Sequence, residues 1–340
     1  MRRITHQKMS LTSAEIAALW TSYQNESMAV CVLSFFQAHA EDPDIRPIVD
    51  KSLKRAETNL KTVRSIMKEE EYVVPVGFTS EDVDVTKPKM FFDTFYLMYM
   101  RQMAKVGMLA FSGFLAMMVR EDLLAFYKEC LLAATELYEL TTKVSTAKGT
   151  TIRPPFISVP TVVEFVENGS YLKGEGLLRH KRPLNAIEIS HLFTNIETNL
   201  LGSMLGIAFA QSAQSKEVKD YLMRGKDIAQ KHLKIFGDHL IDSDVQAPMS
   251  WDTHVSNMTE PGFSDKLIMF HMTLLAAAGL GNYGASASAT MRADIAADYL
   301  RLAAEISLFA KDGADLMIRR GWMEQPPQAS DRRKLVYQPT

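Results

Sequence analysis

From Leu11 onward the chain carries apolar residues at helical spacing, broken by short polar or proline-bearing segments. Ile16, Leu19, Tyr23 and Val30 mark one stripe, and Ile48, Leu53, Leu60, Val63 and Met67 a second. Ile189, Leu192, Ile196 and Leu200, then Tyr221, Ile228, Leu233, Phe236 and Leu240, repeat the pair in the second half. Recurrence at three and four residues puts such side chains on one helix face, so each stripe predicts an amphipathic helix. Thr12 with Glu15 three residues on predicts a capping box at the first helix, and Asn185 with Glu188 predicts its counterpart. Asp42-Pro43 and Ser215 mark the turns into the second helices. Longer connections follow (about 70–87 and 242–261), with Pro75, Gly77 and Pro88 in one and Pro248, Pro261 and Gly262 in the other. Two further helices complete each half, with short junctions near Val119 and Met291. The one strand candidate, IRPPFISVPTVVEFV (152–166), is too rich in proline for a sheet and reads as an extended strap.

The two halves align with each other. LTSAEIAALW (11–20) matches LNAIEISHLF (184–193), Pro75 falls on Pro248, Phe78 on Trp251, and Thr86-Lys87-Pro88 on Thr259-Glu260-Pro261. After a one-residue slip, Arg120, Asp122 and Tyr127 match Arg292, Asp294 and Tyr299. The expected fold is all-α: two tandem four-helix up-down-up-down bundles produced by internal duplication. The expected organisation is a first bundle at 1–150, a proline-rich linker at 151–183 closed by a glycine-rich patch near 174–176, a second bundle at 184–325 and a tail at 326–340.

GLGNYG (279–284) matches the Gly-x-Gly-x-x-Gly pattern of dinucleotide-binding loops. Such a loop works only after a strand and at a helix N-terminus, where free N–H groups meet phosphate. Here HMTLLAAA precedes it and ASASATM follows, so the glycines sit inside a helix. The nucleotide reading is set aside. The expected role of the glycines is to let a neighbouring helix, or the sister bundle, approach closely.

Composition narrows the function classes. The 340 residues are 47% hydrophobic and carry a net charge of −2, without the clustered basic excess of a nucleic-acid binder. The two cysteines, Cys31 and Cys130, lie in apolar helical patterns and read as buried thiols in a reducing compartment. No apolar signal region follows the basic start, which favours a cytoplasmic or spore-associated protein over a secreted one. Leu267 to Met291 lacks Asp, Glu, Lys and Arg, yet its serines, threonines, glycines and His271 make it too polar for a membrane span.

LTSAEI and LNAIEI, APMSWD (247–252), SDKLIMFH (264–271), GNYG (281–284), RPP (153–155) and WMEQPPQASDR (322–332) carry a resemblance. The chain resembles the two-copy proteins of spore-forming bacteria that share the domain of unknown function 3231, over nearly its full length. The resemblance implies a ferritin-like fold in each half and kinship with spore-coat-type proteins, and it implies no activity. In such proteins a histidine follows Gln-Lys on the second helix of both copies. Here the second copy has Gln230-Lys231-His232 and the first has Glu57-Thr58-Asn59.

Candidate chemistry lies where polar residues interrupt the stripes. A ferritin-type di-metal site needs Glu-x-x-His on two helices. The one such pair, Glu188–His191, lies in a first turn where Glu188 is already a cap. Glu197, His232, His271 and Glu305 each break an apolar stripe of the second bundle at similar depth. They form a candidate two-histidine, two-carboxylate site for zinc, iron or manganese. A closed His–Glu hydrogen-bond network competes with that reading, as does an arrangement in which the four do not meet. Their first-copy counterparts, Gln24, Asn59, Met98 and Ala133, could not make the same site. The first copy offers instead a carboxylate cluster, Glu26, Glu57 and Glu136, with Arg101 or Lys105 nearby.

The leading functional expectation is a non-enzymatic structural or interaction protein of spore-forming bacteria, self-associating or binding spore-coat proteins, without nucleic acid or membrane span. The alternatives are a metal-binding protein using the second bundle, and a protein that binds an apolar ligand between helices.

Overall fold

The computed structural model describes residues 9–173, 181–248 and 254–337. Trp251 and the glycine-rich patch at 174–176 lie outside the described residues.

Each half is four antiparallel helices. The first holds α1 (Ser13–His39), α2 (Arg46–Glu69), α3 (Asp93–Leu115) and α4 (Glu121–Ala147). The second holds α5 (Ala186–Ser212), α6 (Lys216–Ile241), α7 (Asp265–Ala289) and α8 (Ala293–Arg319). A short α9 (Arg332–Val336) follows. No strand occurs among the described residues. The fold is all-α, a tandem duplication of helical bundles.

The predicted capping boxes form in both halves. Glu15 N–H donates to Thr12 Oγ1 at 3.2 Å and Thr12 N–H to Glu15 Oε2 at 2.8 Å. Asn185 and Glu188 reproduce the pair at 3.0 and 3.1 Å. Each glutamate also reaches across its bundle. Glu15 Oε1 accepts the N–H groups of Val119 and Arg120, and Glu188 Oε1 those of Met291 and Arg292. A buried carboxylate surrounded by backbone donors is thus satisfied, while the start of one helix is tied to the turn between the third and fourth. Asp93 and Asp265 do the same at the opposite end. They accept from the N–H groups of Glu41 and Asp42, and of Gln214 and Ser215.

The two connections after α2 and α6 cross each other. Asp84 N–H donates to Gly262 O and Ser256 N–H to Met90 O, both at 2.9 Å. Ser264 N–H donates to Asp82 O and Phe92 N–H to His254 O, both at 3.0 Å. Antiparallel bridges join Val83 to Phe263 and Phe91 to Val255. Each bond is the counterpart of another with the halves exchanged, so the bundles meet about a pseudo-twofold axis.

These pairs relocate the slip between the copies. Glu71 and Asp244 correspond, both with positive φ (58° and 57°). Asp93 corresponds to Asp265, one residue out of step with the first pair. The slip therefore falls between Glu71 and Asp82, and Thr86-Lys87-Pro88 is not the counterpart of Thr259-Glu260-Pro261. The counterpart of His271 is Tyr99, not Met98. The two touch at the axis, Tyr99 Oη lying 3.0 Å from His271 Nε2.

The expected close approach at the glycine-rich face of α7 does not occur. GLGNYG lies inside α7, but a Cβ on Gly281 or Gly284 would meet nothing, and one on Gly279 would make ordinary contact with Ile306 at 3.5 Å. α7 is long and apolar enough to cross a bilayer; in this fold it packs against α8 and α5.

One apolar core runs through the second bundle, across the interface and into the near half of the first. A separate cluster, including Leu19, Tyr23, Val63, Leu123 and Tyr127, fills the far end of the first bundle.

Candidate functional site

The break between the two clusters holds a cavity of about 450 Å³ between the helices of the first bundle, open to solvent past the exposed Lys51, Lys54 and Glu136. Its walls are Ser22 to Ala29 on α1, Lys51 to Asn59 on α2, Tyr99 to Phe114 on α3 and Cys130 to Leu137 on α4. Leu201 of α5 and residues of α7 from His271 to Ala278 close one end. Tyr99 and Phe114 are fifteen residues apart on α3, so the cavity follows that helix for about 22 Å at 1.5 Å per residue. Volume, length and mostly apolar walls are those of a small-molecule site.

Comparing the copies explains why space remains here. The second bundle carries Leu302, Glu305 and Ile306 on α8, and Leu302 and Ile306 are part of the continuous core. Their counterparts on α4 are Cys130, Ala133 and Ala134, all on the cavity wall. Gly107 and Ala134 face each other, the glycine's missing Cβ position lying 3.4 Å from Ala134 Cβ, as Gly279 faces Ile306. The same two positions face each other in both bundles, Ala134 making the contact with its Cβ and Ile306 with its Cδ1.

Polar groups interrupt the apolar wall. Asn59 Nδ2 donates to Glu26 Oε1 at 2.8 Å. Burial pushes the Glu26 carboxyl up to about 7, against the opposing effects of Asn59 and Arg55. Burial pushes the Cys130 thiol up to about 12, so it is a neutral wall group rather than a nucleophile. Arg55 Nη2 lies 3.9 Å from Cys130 Sγ, and its Nε is buried with no hydrogen-bond partner. His271 is 2% exposed, and its Nδ1 is likewise unpartnered. Burial lowers its pKa to about 4, so the ring is neutral. Lys51 pairs with Glu136 between α2 and α4 at the outer side of the cavity.

The four residues proposed as a metal site in the second bundle do not converge. His232 and Glu305 meet, His232 Nε2 lying 3.1 Å from Glu305 Oε2. Asn199 Nδ2 donates to Tyr283 Oη at 2.8 Å, so the Tyr283 hydroxyl donates in turn to His232 Nδ1 at 2.9 Å. His232 therefore uses its Nδ1 lone pair on Tyr283 and its Nε2 proton on Glu305, leaving no lone pair for a metal. Burial lowers its pKa further. Burial works to raise the Glu305 carboxyl, but hydrogen bonds from Lys231 and His232 outweigh it and hold the group below its ordinary range. Glu197 turns the other way, to Lys105 Nζ at 2.8 Å and Arg101 at 3.8 Å on the sister bundle. His271 turns to Tyr99. Similar depth along a helix does not fix rotation about it. The first-copy carboxylate cluster is not formed either: Glu26 binds Asn59, Glu57 is exposed, and Glu136 binds Lys51. Among the described residues no group of three or more His, Cys, Asp or Glu could hold a metal ion.

A family model described as "Protein of unknown function (DUF3231)" matches twice, over residues 1–163 and 173–335. The chain belongs to the DUF3231 family. No curated protein matches it. Among solved structures, a "putative spore coat protein" from Bacillus halodurans C-125 is similar at 17% identity and a TM-score of 0.40, over 44% of this chain and 98% of that one. Each match of the DUF3231 model takes in one bundle, so the cavity and the closed His232 network are two fates of one repeat.

The cavity escapes helical-stripe reading because its walls satisfy the stripe. Ala, Cys and Met are apolar at the right spacing, and periodicity records polarity rather than volume. The signal was still present: Cys130, Ala133 and Ala134 stand against Leu302, Glu305 and Ile306 once the copies are aligned.

Proposed function

We propose that the first bundle is a binding module for an elongated apolar small molecule, and that the second is its structural partner. One observation carries this reading. At equivalent positions the second bundle places Leu302 and Ile306 in its core, while the first keeps Cys130, Ala134 and about 450 Å³ of space. The space opens to solvent past the exposed Lys51, Lys54 and Glu136, so its apolar walls meet water until an apolar ligand covers them. The neutral thiol of Cys130 favours binding over catalysis.

The test is uptake of the uncharged fluorophore N-phenyl-1-naphthylamine. The native protein should bind about one equivalent, and the C130L/A134I double variant, which installs the second bundle's residues, should bind none while remaining folded. Equal uptake by both proteins, or none by the native one, would overturn the proposal.

A structural or interaction role is the second reading, and the strap favours it. Phe156, Val159, Val163 and Phe165 are each more than 80% exposed on the extended segment between the bundles, unusual for large apolar side chains in sequence proximity. A strap occupied by a partner would lose that exposure, which hydrogen exchange on protein from native extracts would read.

A further inference from the structure

The ligand's chemistry can be narrowed, on the reading that the cavity is a binding site. We infer that the first bundle takes a long-chain carboxylic acid, its carboxylate held by Arg55 and its hydrocarbon chain laid along α3.

The shape comes first. The cavity is long, following α3 from Tyr99 to Phe114, and is walled there by residues such as Met103, Val106 and Phe111. A single flexible chain matches that form better than a compact ring system, and Met28 and Met103 on the wall can adapt to it.

The head group follows from the donors. α2 presents Lys51, Lys54 and Arg55 to the cavity within little more than one turn. Lys51 is neutralised by Glu136. Arg55 is not neutralised in this way: its Nε is buried without an acceptor, and its Nη2 has the weakly accepting sulfur of Cys130 at 3.9 Å. A guanidinium carries five donors in a planar fork and no acceptor, and a carboxylate is the group that matches it two bonds at a time. The nearby Glu26 carboxyl is engaged by Asn59 and, pushed up to about 7 by burial, carries little charge in mildly acidic solution. It then stands beside an anionic head as a neutral group. A cationic amphiphile would instead meet an arginine with no acceptor. An alcohol would leave the guanidinium charge unmatched.

The copies point the same way. The counterpart of Arg55 on α6 is Ile228, that of Glu26 is Asn199 and that of Asn59 is His232. The charged fork occurs in the bundle that has the cavity and is absent from the one whose core is filled.

The experiment is titration calorimetry at pH 6.5 with dodecanoate, dodecanol and dodecylamine, on the native protein and on R55Q and R55K. Native protein should bind dodecanoate at least about tenfold tighter than dodecanol or dodecylamine, the discrimination expected of charge-assisted hydrogen bonds. R55Q should lose that preference while binding dodecanol unchanged, and R55K should keep only part of it, since an ammonium lacks the fork. Equal binding of all three by the native protein, or an undiminished preference in R55Q, overturns the carboxylate assignment and leaves the apolar site standing. Binding of none of them, together with failure to take up the uncharged fluorophore, overturns the site itself. Should R55Q not fold, the native comparison among the three probes decides by itself.

Discussion

Ala134→Ile converts one cavity position to its second-bundle counterpart, and the outcome can be worked out in advance. Ala134 is 7% exposed on α4, on the cavity wall and opposite Gly107 of α3. The substitution adds three carbons. At about 0.8 kcal/mol for each carbon buried, the gain is at most about 2.4 kcal/mol. Ordering the longer side chain costs about 0.5–1 kcal/mol, and the β-branch a few tenths more in a helix. The net expectation is stabilisation by about 1–1.5 kcal/mol at most. Ala134 Cβ already lies 3.4 Å from where a Cβ on Gly107 would stand, so the gain requires the added carbons to turn along the cavity and away from α3. Unfolding entropy of about 2.1 cal/mol/K per residue over 340 residues turns this into a rise in Tm of about 1.5–2 °C. Differential scanning calorimetry on ligand-stripped protein reads it directly. A lowered Tm would mean that the space beside Ala134 is closed in solution, and the argument from unequal side-chain volumes would fail. The same variant should weaken uptake of the uncharged fluorophore, so stability and binding should move in opposite directions. A mutation that merely improved packing elsewhere would not couple the two.

Two further outcomes follow from buried titratable groups. His232→Ala removes a fully buried ring that bridges Tyr283 and Glu305, leaving a void and a stranded hydroxyl. It should cost about 2–4 kcal/mol in urea unfolding. Because His232 has no lone pair left for a metal, added zinc should not offset that loss or stabilise the native protein; a zinc-dependent rise in Tm abolished by the variant would contradict the network. Glu26 should make the first bundle less stable as pH rises. Its folded pKa of about 7 lies above the ordinary 4.5, so stability is full below about 4.5 and is lost progressively up to about 7. It faces Asn59 and Arg55 from α2, and Cys130 and Tyr127 of α4 lie close enough to feel its charge. Glu26→Gln should therefore match the native protein near pH 4.5 and exceed it by up to about 3 kcal/mol at pH 8. A native protein that gained on the variant with rising pH would mean that Arg55 holds Glu26 as an ion pair.

The sequence by itself settled everything that depends on near neighbours along the chain. Helical stripes repeat at three and four residues, and Thr12 with Glu15, or Asn185 with Glu188, close within one turn. Such patterns gave the helices, their starts and the duplication without reference to anything distant. Tertiary structure decided how the helices are rotated and how closely they approach. Glu197 and His271 share a depth with His232, yet one turns to Lys105 and the other to Tyr99, because depth counts residues while rotation is set by packing across an interface. The one-residue slip between Glu71 and Asp82 was displaced in the alignment for the same reason, since crossing backbone bonds fix it rather than side-chain identity. The cavity belongs to this second class. A stripe containing Ala133 and Ala134 is as apolar as one containing Ile306, and only the distance between two helices determines whether small side chains leave contact or empty space.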